Sequence, residues 1–418
     1  MISKTSGNRS NMVAIKGLTY LMFAMFAMTA DSVGLIIPEI VKTFRLSLTA
    51  AGTFQYATMA GIALGGFLLG HLADRYGRKT TIVAGLILFA AAAYLFLAGT
   101  SFLFFSALMA LSGIAIAIFK TGALALIGDI SRSTAEHTSI MNTVEGFFGV
   151  GSIVGPLILS ALLTRGVPWH WLYVIAGSMC VLLILTALGV RYPIRATQAS
   201  TAEHIGSVTA VMKNRFVLFF SLGAFLYVAV EAAIYVWMPT LLAGYDGAGK
   251  WIAVYSISIF FFLRAGGRFL GAWMLNRLSW SAVLTISSGM ILACFAISIA
   301  GGVAWGVYFL PLSGLFMSVI YPTINSKGIS CVPKSEHGAA AGVILFYTCL
   351  SAVLAPLAMG AVSDAMGGPI YGFALATGFA ALLFLGLVLN SVFNPAGEIF
   401  QRADQSDYEP AESERAPS

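Results

Sequence analysis

Gly70-His71-Leu72-Ala73-Asp74-Arg75-Tyr76-Gly77-Arg78-Lys79 sets three basic side chains, one carboxylate and two glycines between apolar runs at residues 48–72 and 79–99. Each run meets the requirement of about twenty apolar residues for crossing a hydrocarbon core of roughly 30 Å. The ten residues therefore read as a tight loop joining two membrane spans. Gly70 permits close helix contact, and Asp74 can accept hydrogen bonds from a neighbouring helix terminus or an arginine. Arg75, Arg78 and Lys79 face an anionic leaflet across the turn at Gly77. Such a set can latch one access state, so its expected role is gating rather than binding; the plain alternative is a positively charged hairpin.

The same alternation of apolar run and short polar break extends in both directions. Over 418 residues, 59% are hydrophobic and only 10% charged, which is the composition of a membrane protein. Lipid offers no partner to an unpaired backbone group, so the chain is expected to be an all-α bundle. Twelve spans are predicted. Helices 1 to 6 fall at residues 15–40, 48–72, 79–99, 102–128, 140–164 and 169–190, and helices 7 to 12 at 215–243, 250–275, 280–301, 304–328, 338–362 and 369–393. The polar linker at 191–214 divides them into bundles at 15–190 and 215–393. A polar segment, 1–14, precedes the first, and an acidic, disordered tail, 394–418, follows the second. The first run is too long for a signal-peptide core and lacks a small-residue cleavage site, so it should remain as helix 1.

The net charge of +6 is dispersed over short loops rather than gathered on one face, which argues against nucleic acid as a partner. With a cytoplasmic N-terminus, Lys4, Arg9, Lys16, Arg75, Arg78, Lys79, Arg132, Arg191, Arg195, Lys213, Arg215, Arg277, Lys334, Arg402 and Arg415 lie inside, against Lys42, Arg45, Arg165 and Lys250 outside. This is a positive-inside bias that puts both termini in the cytoplasm. Cys180, Cys294, Cys331 and Cys349 have no paired spacing, so neither disulfides nor a metal site is expected.

The halves repeat one another, as in transporters built from two six-helix units. Leu111-Ser112-Gly113 recurs as Leu312-Ser313-Gly314, with Lys120 and Tyr321 seven residues after the respective glycines. Gly155-Pro156-Leu157 recurs as Ala355-Pro356-Leu357, Gly177 matches Gly378, and Asp74-Arg75 finds an echo in Asn276-Arg277.

The loop at 70–79 resembles the signature of the major facilitator superfamily. Three further stretches resemble its fucose/galactose/glucose:H+ symporter family: Leu226-Tyr227-Val228 with Glu231, Ile234 and Trp237; Gly267-Arg268-Phe269 with Gly271, Trp273 and Arg277; and Phe316-Met317-Ser318 with Tyr321-Pro322-Thr323-Ile324. The resemblance implies two pseudo-symmetric six-helix bundles that transport monosaccharides, mostly with protons. Two departures stand out. Lys120 replaces the family's helix 4 glutamate, and Asp31, seven residues before Pro38, lies about one turn from the expected aspartate. In helix 5, Gly149, Gly151, Gly155 and Pro156 partly resemble the superfamily's antiporter signature, but Leu157-Ile158-Leu159-Ser160 follows where a glycine pair is expected, and Met109 stands where helix 4 usually has an arginine.

By position, Asp31, Lys120, Glu231 and Arg264 are deep within spans, and facing lipid they would cost about 2.5–3.5 kcal/mol each. They are expected to face the interior, where they can neutralise one another and serve binding or coupling. Their structural alternative is a permanent ion pair that only locks helices. Glu145 and Arg268, nearer the cytoplasmic ends, are assigned to gating with Arg277. A sugar site needs aromatic faces and a few convergent polar groups, for which Trp237, Tyr321 and Asn325 are candidates. The histidines sit at loops or helix ends and need no chemical role.

The sum is a secondary transporter for uptake of a sugar or sugar-like solute, coupled to H+ or another ion and requiring no cofactor. The two deep cations admit a sugar acid, its charge met by Lys120 or Arg264. The alternative is proton-coupled efflux of a small organic compound. No nucleophilic triad, zinc-ligand helix or phosphate-binding loop points to an enzyme. A monomer in a bacterial inner membrane, with the lipid bilayer and a small-molecule substrate as partners, is the expectation.

Overall fold

The computed structural model describes residues 2–69, 72–130, 134–192, 211–275, 277–332, 337–397 and 399, with backbone alone at 2–10, 67–68, 73–74, 128, 134–139, 141–142, 272 and 337–339. Gly70, most of the linker and the tail beyond residue 399 lie outside the described residues, as does the side chain of Asp74.

Helix 1 runs Ile2–Ala30 and continues as Val33–Phe44. It starts well before residue 15 because polarity decides where lipid ends, not where a helix ends. Helix 2 is Leu48–Ala51 and Thr53–Leu69, the loop carries a turn of helix at Leu72–Tyr76, and helices 3 to 6 are Arg78–Leu95, Phe102–Ile130, Thr134–Thr164 and Trp171–Gly189. Helix 7 is Arg215–Ala232, a π-helical turn Ala233–Trp237, and Met238–Leu242. Helix 8 is Lys250–Val254 and Ser256–Leu275, helix 9 Trp280–Gly301, helix 10 Val303–Met317 and Ile320–Ile329, helix 11 His337–Met366 and helix 12 Pro369–Phe393. Among the described residues, ten stretches are long and apolar enough to cross a membrane. The two remaining positions belong to helix 2, whose Thr53–Leu69 segment is 17 residues long, and to helix 8, whose apolar run is diluted by Arg264 and Arg268.

Packing repeats between the halves. Helices 1 and 5, 2 and 4, 3 and 4, and 3 and 6 pair in the first, as 7 and 11, 8 and 10, 9 and 10, and 9 and 12 do in the second. The repeated glycines explain part of this. A Cβ on Gly113 would overlap the backbone of Thr58 in helix 2, and one on Gly314 would overlap Phe260 in helix 8. Small residues let membrane helices approach until backbones touch. The first half is also filled by rings: Phe96 stacks on Tyr173 at 4.2 Å, and Trp169 meets Phe105 edge-on at 5.1 Å.

The halves are closed against each other on the side away from the chain termini, here called distal. A Cβ on Gly34 would overlap the Tyr235 carbonyl, so helices 1 and 7 touch backbone to backbone. The Asp364 carboxylate at the end of helix 11 accepts from Leu48 N–H at 2.7 Å and Thr49 N–H at 2.8 Å, capping helix 2 across the divide. The Tyr56 hydroxyl donates to the Pro356 carbonyl at 3.2 Å. Ser160 donates to the Val254 carbonyl at 3.0 Å, and Ser258 to that of Ile153 at 3.2 Å. On the terminal side, Glu145 of helix 5 and Arg268 of helix 8 are both exposed, and no ion pair joins them among the described residues.

Candidate transport site

Helix 1 is interrupted where Asp31 sits. Asp31 N–H still reaches the Ala27 carbonyl at 3.1 Å, but Ser32 N–H turns to Thr29 at 3.4 Å, one residue nearer, before the helix resumes at Val33. Such a break frees the Asp31 side chain from the regular face of the helix. It is hydrogen-bonded to the Ser152 hydroxyl of helix 5. The same hydroxyl lies 3.0 Å from the carbonyl of Phe148, one turn earlier. A serine hydroxyl owns one proton. With Asp31 ionised, Ser152 donates to the carboxylate; with Asp31 protonated, Asp31 donates to Ser152, which is then able to donate to Phe148. The pair thus accommodates either protonation state without moving a helix.

The Lys120 ammonium of helix 4 lies over the ring of that same Phe148, 5.3 Å from its centroid. Among the described residues no carboxylate stands within ion-pair distance of it. Across the interior, the Glu231 carboxylate of helix 7 and the Arg264 guanidinium of helix 8 form a direct ion pair, with Glu231 buried and Arg264 half-buried. Glu231 sits two residues before the π turn, a widened piece of helix of the kind that recurs at functional sites. The four deep charges of the sequence are therefore handled in two ways, one pair matched directly and the other two held by a hydroxyl and a ring.

Tyr321 of helix 10 stacks on Tyr227 at 6.1 Å, and the Tyr227 hydroxyl donates to the Met317 carbonyl at 3.1 Å. Asn325, one turn on, is half-buried. Trp237 is buried beneath the distal closure, where its indole N–H donates to Pro356 at 3.1 Å, the carbonyl that Tyr56 also uses. In the loop, Gly77 turns at φ 86°, a conformation that suits glycine. Arg78 Nε then pairs with Asp129 at 2.9 Å, Lys79 donates to the Leu188 and Val190 carbonyls at 2.8 Å each, and Arg75 lies over Tyr76. Arg78 and Lys79 thus staple helix 3 to the ends of helices 4 and 6. Arg277 rests on Trp273 at 4.4 Å.

Sequence reasoning missed Ser152, Phe148, Asp129 and Asp364. It also missed Gln55 of helix 2, fully buried with neither amide atom bonded among the described residues. Asp129 was open to discovery as a carboxylate at a helix end opposite a basic loop, and Asp364 as one near the end of helix 11. Ser152 and Phe148 carry no signal of their own. A separate pocket of about 390 Å³, lined by Glu39, Phe44, Trp169 and His170 among others, lies in the first half on the distal side, away from these charges. Among the described residues no group of His, Cys, Asp and Glu could hold a metal ion.

Two six-helix repeats around a set of interior charges, closed at one end, make a multi-pass membrane transporter rather than an enzyme. Residues 19–356 match the Major Facilitator Superfamily, and the chain belongs to that family. It is similar to the protein TsgA homolog of Enterobacter sp. (strain 638), 24% identical over 379 residues that cover 88% of this chain and 93% of that one. Among solved structures it resembles the nucleoside transporter NupG, with a TM-score of 0.72, 17% identity and coverage of 90% and 98% of the two chains. It also resembles the E. coli fucose:proton symporter FucP, with a TM-score of 0.63, 20% identity and coverage of 90% and 98%.

Proposed function

We propose that this transporter takes up a sugar or sugar-like solute by alternating access, driven by a proton that enters with it. The observation that carries the reading is the carboxylate of Asp31, set at a break in helix 1 on a hydroxyl that suits both of its protonation states. A coupling group must load and release a proton as its surroundings change, and an interior carboxylate beside a hydroxyl is suited to that. The locked Glu231–Arg264 pair supplies the contrasting fixed point. Half-buried Tyr321, backed by Tyr227, offers an aromatic face, and the unbonded amide of Gln55 has both a donor and an acceptor to give, the groups that bind hydroxylated rings. Fucose and nucleosides, the solutes named for FucP and NupG, are hydroxylated as well.

The positive-inside distribution supports a cytoplasmic terminal side, and a bacterial inner membrane is the location that goes with this reading. With the distal side closed, the conformation is then inward-facing, and Glu145 and Arg268 are gate residues standing apart. The test is uptake into proteoliposomes of a panel of neutral sugars and sugar acids, with and without an inward proton gradient. Gradient-stimulated accumulation of one of them is expected. Solute driven against the direction of the protons would replace this reading with efflux antiport, and no movement of any member would remove sugars as the solute class.

A further inference from the structure

We infer that the solute is a sugar acid, a hydroxylated monocarboxylate whose carboxylate is held by Lys120. The inference rests on the sugar-uptake reading and narrows it. Of the two deep cations, Arg264 is already matched by Glu231, while among the described residues Lys120 meets only the face of Phe148. A cation–π contact offsets part of the cost of holding an ammonium in a bundle interior, on the scale of about 0.5–2 kcal/mol. It leaves the ammonium without a direct ion pair among the described residues. An interior cation of that kind is a site for an anion that comes and goes.

The charge count selects the class of anion. One ammonium matches one carboxylate, whereas a sugar phosphate, with close to two negative charges at neutral pH, would call for a second cation that Glu231 already occupies. An ammonium is also a compact point charge on a flexible stem, able to follow its ligand as the bundles rock. Among the described residues, the other charged groups that act on Asp31 are Arg264, Glu231 and Lys120. A carboxylate arriving at Lys120 therefore cancels one of the positive charges that favour ionised Asp31 and adds a negative charge nearby. Anion binding and proton uptake on Asp31 are thereby linked, with Ser152 and Phe148 as the shared structure between them. One proton entering with one monoanion carries no net charge.

The experiment uses the full-length protein purified and reconstituted, with labelled galacturonate, gluconate, galactose and galactose 6-phosphate as probes. Galacturonate or gluconate is expected to be taken up when the outside is acid, at a rate that a potassium diffusion potential does not alter. Lys120→Gln is expected to raise the half-saturating concentration for the acid roughly ten- to a hundredfold, as for loss of a charged hydrogen bond, and Lys120→Arg to keep most of it. If Lys120→Gln does not fold, binding to the unaltered protein decides: galacturonate must displace label where equal galactose does not. Proton-driven, potential-sensitive uptake of galactose with no acid bound would overturn this inference and leave sugar uptake standing. Preference for a sugar phosphate would overturn it too. If no probe either binds or moves, both readings fall together.

Discussion

The two halves place a carboxylate at nearly the same point of their first helix and then treat it differently. Asp31 stands seven residues before Pro38, and Glu231 eight before Pro239. Helix 1 passes that point by tightening and breaking, helix 7 by widening into a π turn that takes up extra length. In the first half the carboxylate meets a hydroxyl and the nearby lysine rests on a ring; in the second the carboxylate meets a guanidinium directly. At the position equivalent to Lys120, the second half has Tyr321, stacked on Tyr227. One half keeps its charges adjustable, the other keeps them matched. A transporter needs both, because a proton or an anion can only act on a balance that is not already closed.

The strongest way to break this comparison is to open the matched pair. Arg264→Ala strands a buried carboxylate, at a cost of about 3–5 kcal/mol. The expected result is a large fall in unfolding temperature in detergent, with the double variant Glu231→Gln, Arg264→Gln recovering much of it. Equal loss in the single and the double variant would mean that the pair is no lock. A smaller effect on stability, but a sharper one on function, is expected at Asp31. The Asp31→Asn protein should fold and still exchange solute across the membrane at equal concentrations, yet fail to accumulate it under an imposed proton gradient. Accumulation by that variant would make the first half as inert as the second. The smallest effect is expected at the ring: Phe148→Leu keeps most of the apolar bulk and removes the π face, worth about 0.5–1 kcal/mol, so the half-saturating concentration should move about two- to fivefold. Unchanged kinetics would reduce the ring to packing.

Much of the architecture was legible in the sequence because it rests on length and composition. Runs of apolar residues set the spans, the loop at 70–79 announced a hairpin, and Gly113 and Gly314 showed as a repeat, though their contacts with helix 2 and helix 8 are visible only in the fold. The deep charges were legible as a set, because each is costly in lipid wherever it sits. Their partners were not. Glu231 could have paired with either cation until the helices were in place, and Ser152 is one serine among many until Asp31 is seen beside it. The distal closure was hidden for the same reason, since Asp364 bonds to backbone N–H groups, which every residue but proline possesses. Trp237 was legible as an aromatic candidate for the site, but not that its N–H bonds to the Pro356 carbonyl within that closure.

The π turn at Ala233–Trp237 has a consequence for chain length. A residue of α-helix corresponds to about 100° of rotation, since 3.6 residues complete a turn. Deleting one residue between Glu231 and Pro239 would let the turn relax to an ordinary helix with Glu231 still aimed at Arg264, because the widened turn is what takes up the extra residue. Inserting one more there, with no further widening to absorb it, would swing Glu231 by that angle relative to the distal closure. The stretch from Glu231 to Pro239 is for that reason more tolerant of losing a residue than of gaining one.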